Sequence, residues 1–280
     1  MGDDKQPQAW FHGLATRARL LRVVLFIAFA IAASIVLLLR APAQSVHPER
    51  DAGFGGFADL GNGPRPAFSP ARPQLLGHRA AGFWWATVIR PVTALRAPAG
   101  GNPVAALTTF TPEGTTNLVL VLGSARRHDA DWVHVRLPVL PNNTTGWVPR
   151  SAVGGYHFVT THLVIDLHRL RATLWRDGRP VFTAPVGVGQ PQWPTPRGEF
   201  YIRDKLTDYA SPFYGPLAFG TSARSTVLTD WPDGGFVGIH GTNEPELIPG
   251  RVSHGCVRLR NSDILRLARL MPVGTPLTIN

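Results

Sequence analysis

The 280-residue chain contains a single cysteine, Cys256. No intrachain disulfide can form, and Cys-rich zinc frameworks are excluded. In an oxidising compartment a lone thiol invites oxidation or intermolecular pairing, so its presence asks for a chemical reason. Lysine is almost absent: Lys5 and Lys205 are the only two, and arginine supplies nearly all of a formal net charge of +10. Such a field attracts polyanions. The arginines are scattered and no nucleic-acid module is present, so nucleic acid is not an expected partner and anionic membrane or wall polymers fit better. No internal repeat occurs. Glycine (29) and proline (26) are plentiful, which favours short strands and turns over long helices and predicts a mainly β protein.

One long apolar run is present. Val23 to Leu39 is uncharged over 17 residues and flanked by Arg22 and Arg40, a length of roughly 25 Å as a helix, at the short end for a membrane span. Lys5, Arg17, Arg19 and Arg22 precede it, so the positive-inside rule places residues 1–22 in the cytoplasm, 23–39 in the membrane and the remainder outside. The rival reading is a cleaved signal peptide, since Ala41-Pro42-Ala43 has the small-x-small form of a cleavage site. Both readings export the rest. Residues 40–81 are rich in Gly and Pro with no sustained apolar period and read as a flexible linker.

Short alternating runs then recur between turns, among them Leu118-Val119-Leu120-Val121-Leu122, Asp131-Trp132-Val133-His134-Val135 and Gly146-Trp147-Val148, and predict a small barrel of short strands over 82–154. The pattern DWVHVRLP…GWVPRSAV resembles the bacterial SH3-like domain, and Trp132 and Trp147 read as core. A second β-rich segment spans 156–280. Asp177-Gly178 predicts a hairpin turn between Arg171–Arg176 and Arg179–Val186. One helix is convincing, capped near Asn261 or Ser262, carrying Ile264, Leu265, Leu267, Ala268, Leu270 and Met271, and ending before Pro272.

The chemistry gathers in Ile239-His240-Gly241-Thr242 and Ser253-His254-Gly255-Cys256-Val257-Arg258. A free thiol has a pKa of about 8.5 and only its thiolate is a strong nucleophile. A neighbouring imidazole can take that proton and return it to a leaving amine. Glycine at 255 lets the backbone turn sharply, so that successive amides can face a developing oxyanion.

HGT followed by SHGCVRL resembles the signature of the L,D-transpeptidase (YkuD-type) catalytic domain, and PVGVGQPQWPTPRGEFYI, Pro185 to Ile202, resembles that family's approach to the active-site sheet. The resemblance implies a C-terminal β-sandwich with a short helix; the whole chain then reads as one N-terminal transmembrane helix, a linker, the SH3-like barrel and that sandwich. It implies Cys256 as nucleophile, His240 as general base, the Gly241 carbonyl orienting the imidazole, His254 shaping the pocket, and the amides of Gly255 and Cys256 forming the oxyanion hole. Ser253, Arg258, Tyr209 and Tyr214 are candidate substrate-binding residues; the last two sit where the family carries a loop over the cleft. The family commonly has asparagine where Arg258 stands, so polar contacts carried over at that position differ here, and Arg258 serves either a peptide carboxylate or a salt bridge.

The implied reaction is acyl transfer from a peptidoglycan stem tetrapeptide, with release of D-alanine and passage of the acyl group from the thiol to an amine, or to water in an L,D-carboxypeptidase. Carbapenems would acylate the same thiol. No cofactor or metal is required, and a monomer is expected. Zinc held by His240, His254 and Cys256 leaves no separate base for a metal-bound water. A sortase lacks this short His-to-Cys spacing, papain-like enzymes reverse the order, and a degenerate wall-binding protein would not need the intact Cys and His.

Overall fold

The computed structural model describes residues 82–207, 212–229 and 235–280. The expected anchor at 23–39, the linker at 40–81 and Tyr209 lie outside the described residues. Among the described residues no helix is long and apolar enough to cross a membrane.

Seven strands form the first sheet: β1 (Phe83–Val88), β2 (Val92–Ala97), β3 (Gly100–Leu107), β4 (Leu118–Arg127), β5 (Ala130–Arg136), β6 (Thr145–Pro149) and β7 (Val153–Val159). They lie in the order β3-β2-β6-β5-β4-β1-β7. Alternation decides which side chains go inside. Val133 and Val135 of β5 and Val148 of β6 are fully buried with Val119 of β4 and Ala86 of β1. The same alternation turns Trp132, His134 and Trp147 to the opposite face. There His134 stacks on Trp147 at 4.7 Å. The two tryptophans are half-buried, so the valines, not the tryptophans, fill the core. Strand β7 stays paired with β1 as far as Val159, and the first strand of the next sheet begins at Thr161.

The second sheet system comprises β8 (Thr161–Asp166), β9 (Arg171–Arg176), β10 (Arg179–Pro185), β11 (Gly187–Gly189), β12 (Gly198–Leu206), β13 (Ala218–Arg224), β14 (Phe236–His240), β15 (Gly250–Ser253), β16 (Val257–Arg258) and β17 (Pro276–Ile279), with one α-helix, α1 (Asn261–Leu270). Asp177 and Gly178, at φ 50° and 73°, make the tight turn from β9 to β10, since both positions need positive φ. Strand β12 pairs with β17 through Gly198–Tyr201 and with β13 from Ile202 to Leu206. It therefore passes from one layer of the sandwich to the other. Leu163, Ile165, Phe200, Phe219 and Ile239 pack between the layers, and α1 adds Ile264 and Leu267.

Helix α1 begins at Asn261 and its N-cap is Arg260, without a side-chain cap. Asn261 was expected at the cap, but its amide oxygen accepts the Thr242 N–H at 2.9 Å and so braces the strand-end loop that carries His240.

The two sheet systems are stapled by polar contacts around an apolar seam of Leu118, Leu120 and Tyr201. Tyr201 is fully buried and its hydroxyl donates to Leu118 O at 3.1 Å; a buried hydroxyl without that acceptor would cost about 1–3 kcal/mol. Arg203 of β12 pairs with Glu113 at 2.9 Å. The Asn142 side chain donates to Arg224 O at 2.7 Å and accepts Arg224 N–H at 3.0 Å, extending the edge of β13 as a strand would.

Candidate active site

Strand β14 ends at His240 and lies beside β16, whose Val257 and Arg258 register parallel to Ile239 and His240. That pairing brings the residue before β16, Cys256, next to the imidazole, although the two are remote in the loop between them. Gly238 separates them. A Cβ built there would meet His240 Cδ2 at 3.8 Å and Cys256 Sγ at 3.9 Å. The Gly238 N–H donates to Cys256 Sγ at 3.4 Å.

His240 is 4 % exposed. Its Nδ1 lies 2.6 Å from Gly241 O. A carbonyl can only accept, so Nδ1 carries the hydrogen and Nε2 is left as the basic lone pair. Burial, with a smaller push from the Arg258 guanidinium, lowers the imidazole from 6.5 to about 4, against the Gly241 hydrogen bond. Burial also raises the Cys256 thiol, opposed by the Gly238 N–H and by Arg258, even though Cys256 as a whole is only partly covered. At neutral pH the resting pair is therefore neutral thiol and neutral imidazole. The geometry suits proton removal during attack, rather than a standing thiolate–imidazolium pair.

The nucleophile's turn is held from two sides. Ser253, 1 % exposed, donates from Oγ to Cys256 O at 2.6 Å and accepts the Gly255 N–H at 3.1 Å. Both Ser253 and the Gly255 amide, read from the sequence as a substrate contact and an oxyanion donor, are thus engaged inside the turn itself. Gly255 has φ +117°, a conformation that a side chain would strain. Thr195, buried in the loop after β11, donates from Oγ1 to Gly255 O at 2.8 Å and accepts the Gly189 N–H at 2.8 Å. The sequence reading passed over Thr195; its only signal was its place in the quoted Pro185–Ile202 stretch.

A cavity of about 290 Å³ opens onto Cys256 and His240, walled by Phe213, Tyr214, Phe236 and Arg258. Tyr214 sets its ring edge-on to the His240 ring, 4.7 Å between centroids, and so covers the base directly. His254 is exposed at the rim, where its ring lies 4.2 Å from that of Trp193. Arg258 is ion-paired with Glu244 at 2.9 Å, so its charge is already matched. Among the described residues, no three His, Cys, Asp or Glu side chains gather as metal ligands.

Residues 160–279 match the family model YkuD, the L,D-transpeptidase catalytic domain. The "Putative L,D-transpeptidase YkuD" of Bacillus subtilis is 35% identical over 119 residues, covering 42% of this chain and 65% of that protein. The protein of the same name from Bacillus licheniformis is 35% identical over 117 residues, 42% of this chain and 64% of its own length. The chain thus spans just under two-thirds of these relatives. The NMR structure of the catalytic domain from the E. faecium L,D-transpeptidase is 26% identical, covers 44% of this chain and 99% of that one, and has a TM-score of 0.34. Residues 160–279 are thus similar in sequence to L,D-transpeptidase catalytic domains.

Proposed function

We propose that the chain is a peptidoglycan L,D-transpeptidase in which Cys256 and His240 perform the acyl transfer. The observation that carries this reading is the tautomer imposed on His240: Nδ1–H is tied to Gly241 O, which leaves Nε2 as the base on the strand next to Cys256. The thiol sulfur attacks the carbonyl joining the L-centre of the stem's diamino acid to its terminal D-alanine while His240 Nε2 takes the thiol proton. The tetrahedral intermediate collapses as His240 protonates the departing D-alanine amine, leaving a thioester. An amine of a neighbouring stem or wall-anchored protein then attacks, gives its proton to His240 and takes the acyl group, and the thiol is restored. No step requires a metal or cofactor.

In this reading Tyr214 keeps water from the thioester, and Arg258 acts through its ion pair with Glu244 on the cleft wall. The first sheet is an SH3-like module, and residues 23–39 anchor the protein so that everything beyond them faces the cell wall. The test is mass spectrometry of the products when the purified chain meets disaccharide-tetrapeptide, with Cys256→Ala as control. A cross-linked dimer that depends on Cys256 supports transfer, tripeptide without dimer points to hydrolysis, and no Cys256-dependent product from folded protein would overturn the reading.

A further inference from the structure

Phe236, the first residue of β14, lines the cavity onto which Cys256 opens. Its ring is flanked by two cations. The Arg203 guanidinium carbon lies 3.9 Å from the ring centroid, and that of Arg224 lies 4.9 Å away. A planar guanidinium on an aromatic face fixes the ring's orientation as well as attracting it.

Neither arginine is placed by the catalytic domain alone. Arg203 is 2 % exposed and its Nη2 is held by the Glu113 carboxylate, which comes from the loop between β3 and β4. Its Nε and Nη1 are buried without hydrogen-bond partners, so Glu113 and the Phe236 ring are what locate it. The Arg224 backbone is clamped by Asn142, from the loop between β5 and β6. Two separate loops of the first sheet thus reach two arginines that converge on one cleft side chain. Two further cross-seam bonds, Tyr201 to Leu118 and Glu199 to Asn143, join residues that do not line the cleft.

We infer that the first sheet is a positioning domain for the substrate cleft: Glu113 and Asn142 set the aromatic wall Phe236 through Arg203 and Arg224. Its kinetic readout rests on the acyl-transfer reading above. The module then shapes how the stem peptide lies against the thiol without touching it, and removing either loop contact loosens substrate binding more than it slows chemistry.

The test compares Glu113→Gln and Asn142→Ala in the full chain, each also in a Phe236→Leu background, with Tyr201→Phe as a seam variant that does not address the ring. Two quantities are read: kcat and KM for a stem tetrapeptide, and the rate at which Cys256 reacts with N-benzylmaleimide relative to iodoacetamide. The second needs no substrate: Phe236 lines the cavity onto which Cys256 opens, so a bulky reagent should respond to the ring's position more than a small one. Glu113→Gln and Asn142→Ala should each raise KM about three- to tenfold with kcat within about twofold, as expected for coupling through packed neighbours. Each should shift the alkylation ratio at least about threefold by the same coupling. Tyr201→Phe should lower the unfolding midpoint and move neither quantity, and in Phe236→Leu the two loop substitutions should add nothing. Wild-type KM and alkylation ratio in folded variants would overturn the inference, as would undiminished effects in Phe236→Leu. If Glu113→Gln fails to fold, Asn142→Ala decides the same question. If the wild type turns over no tetrapeptide, the proposed function fails and the alkylation ratio alone decides this inference.

Discussion

His240 is the residue whose surroundings make the clearest statement about pH. Its imidazole is lowered from 6.5 to about 4 by burial, so it stays neutral, and able to accept a proton, well below the ordinary histidine range. The acid limb of kcat/KM should therefore fall near pH 4 to 5 rather than near 6.5. A limb at 6.5 or above in a pH–rate series would show that burial does not govern the base. The same shift makes the unfolded chain bind a proton that the native state refuses between 6.5 and about 4, so this site's contribution to stability is complete above 6.5 and is lost as pH falls through that window. Thr195 is tested differently. Thr195→Val removes the one hydroxyl that bridges Gly189 N–H and Gly255 O, leaving two buried groups unpaired at about 1–3 kcal/mol each. Transfer should drop about ten- to a hundredfold through a misplaced nucleophile turn, with Thr195→Ser within about threefold of wild type; equal losses in both variants would count against the hydroxyl. Cys256 and His240 could be singled out as candidates because each sits in a short motif, His240-Gly241-Thr242 and Ser253-His254-Gly255-Cys256. Thr195 and Gly238 were not, because their roles exist only once strands remote in sequence come into register.

Among the elements, β12 carries the most. It changes layers within the sandwich and presents Tyr201 and Arg203 to the first sheet. It also buries Asp204, whose carboxyl is raised chiefly by burial and then by the nearby Glu113 charge. One oxygen accepts the Gly220 N–H, and hydrogen bonds from Gly220 and the Thr115 side chain oppose the shift without reversing it. Because the folded pKa lies above 3.8, the native state holds a proton that the unfolded chain gives up, and stability falls as pH rises through that interval. Asp204→Asn keeps the acceptor for Gly220 and removes the buried charge. Its unfolding midpoint should rise at pH 7, each 1 kcal/mol being worth roughly 2–4 °C, and the gain should vanish below pH 4; a lower midpoint at pH 7 would mean that attraction to the nearby Arg203 charge and the carboxylate's hydrogen bonds outweigh burial. The β9–β10 hairpin and α1 were legible because turn chemistry and helical period are local signals. The N-cap, expected near Asn261 or Ser262, falls at Arg260 while Asn261 serves Thr242, and the run of β7 to Val159 was not legible because its pairing with β1 is non-local.

At the scale of the whole molecule, the basic charge and the apolar run at residues 23–39 motivate the proposed anchorage at an anionic, membrane-bounded surface. A chain lacking residues 1–43 should partition into the soluble fraction when the intact protein sediments with membranes, and persistent sedimentation of the shortened chain would remove the anchor. The division into two β regions could be read from strand spacing, but not the charged contacts joining them, since nothing in the sequence pairs Glu113 with Arg203 or Asn142 with Arg224. Those contacts bear on where the chain can be cut. Severing it at Thr160, where the family match begins, would strip the cover from Tyr201 and take the Glu113 carboxylate from the Arg203 guanidinium, and the remainder should unfold at a lower midpoint than the full chain. The stretch that matches the family model is thus shorter than the stretch whose buried polar groups satisfy one another, and the edge of the match is not an edge of the packing.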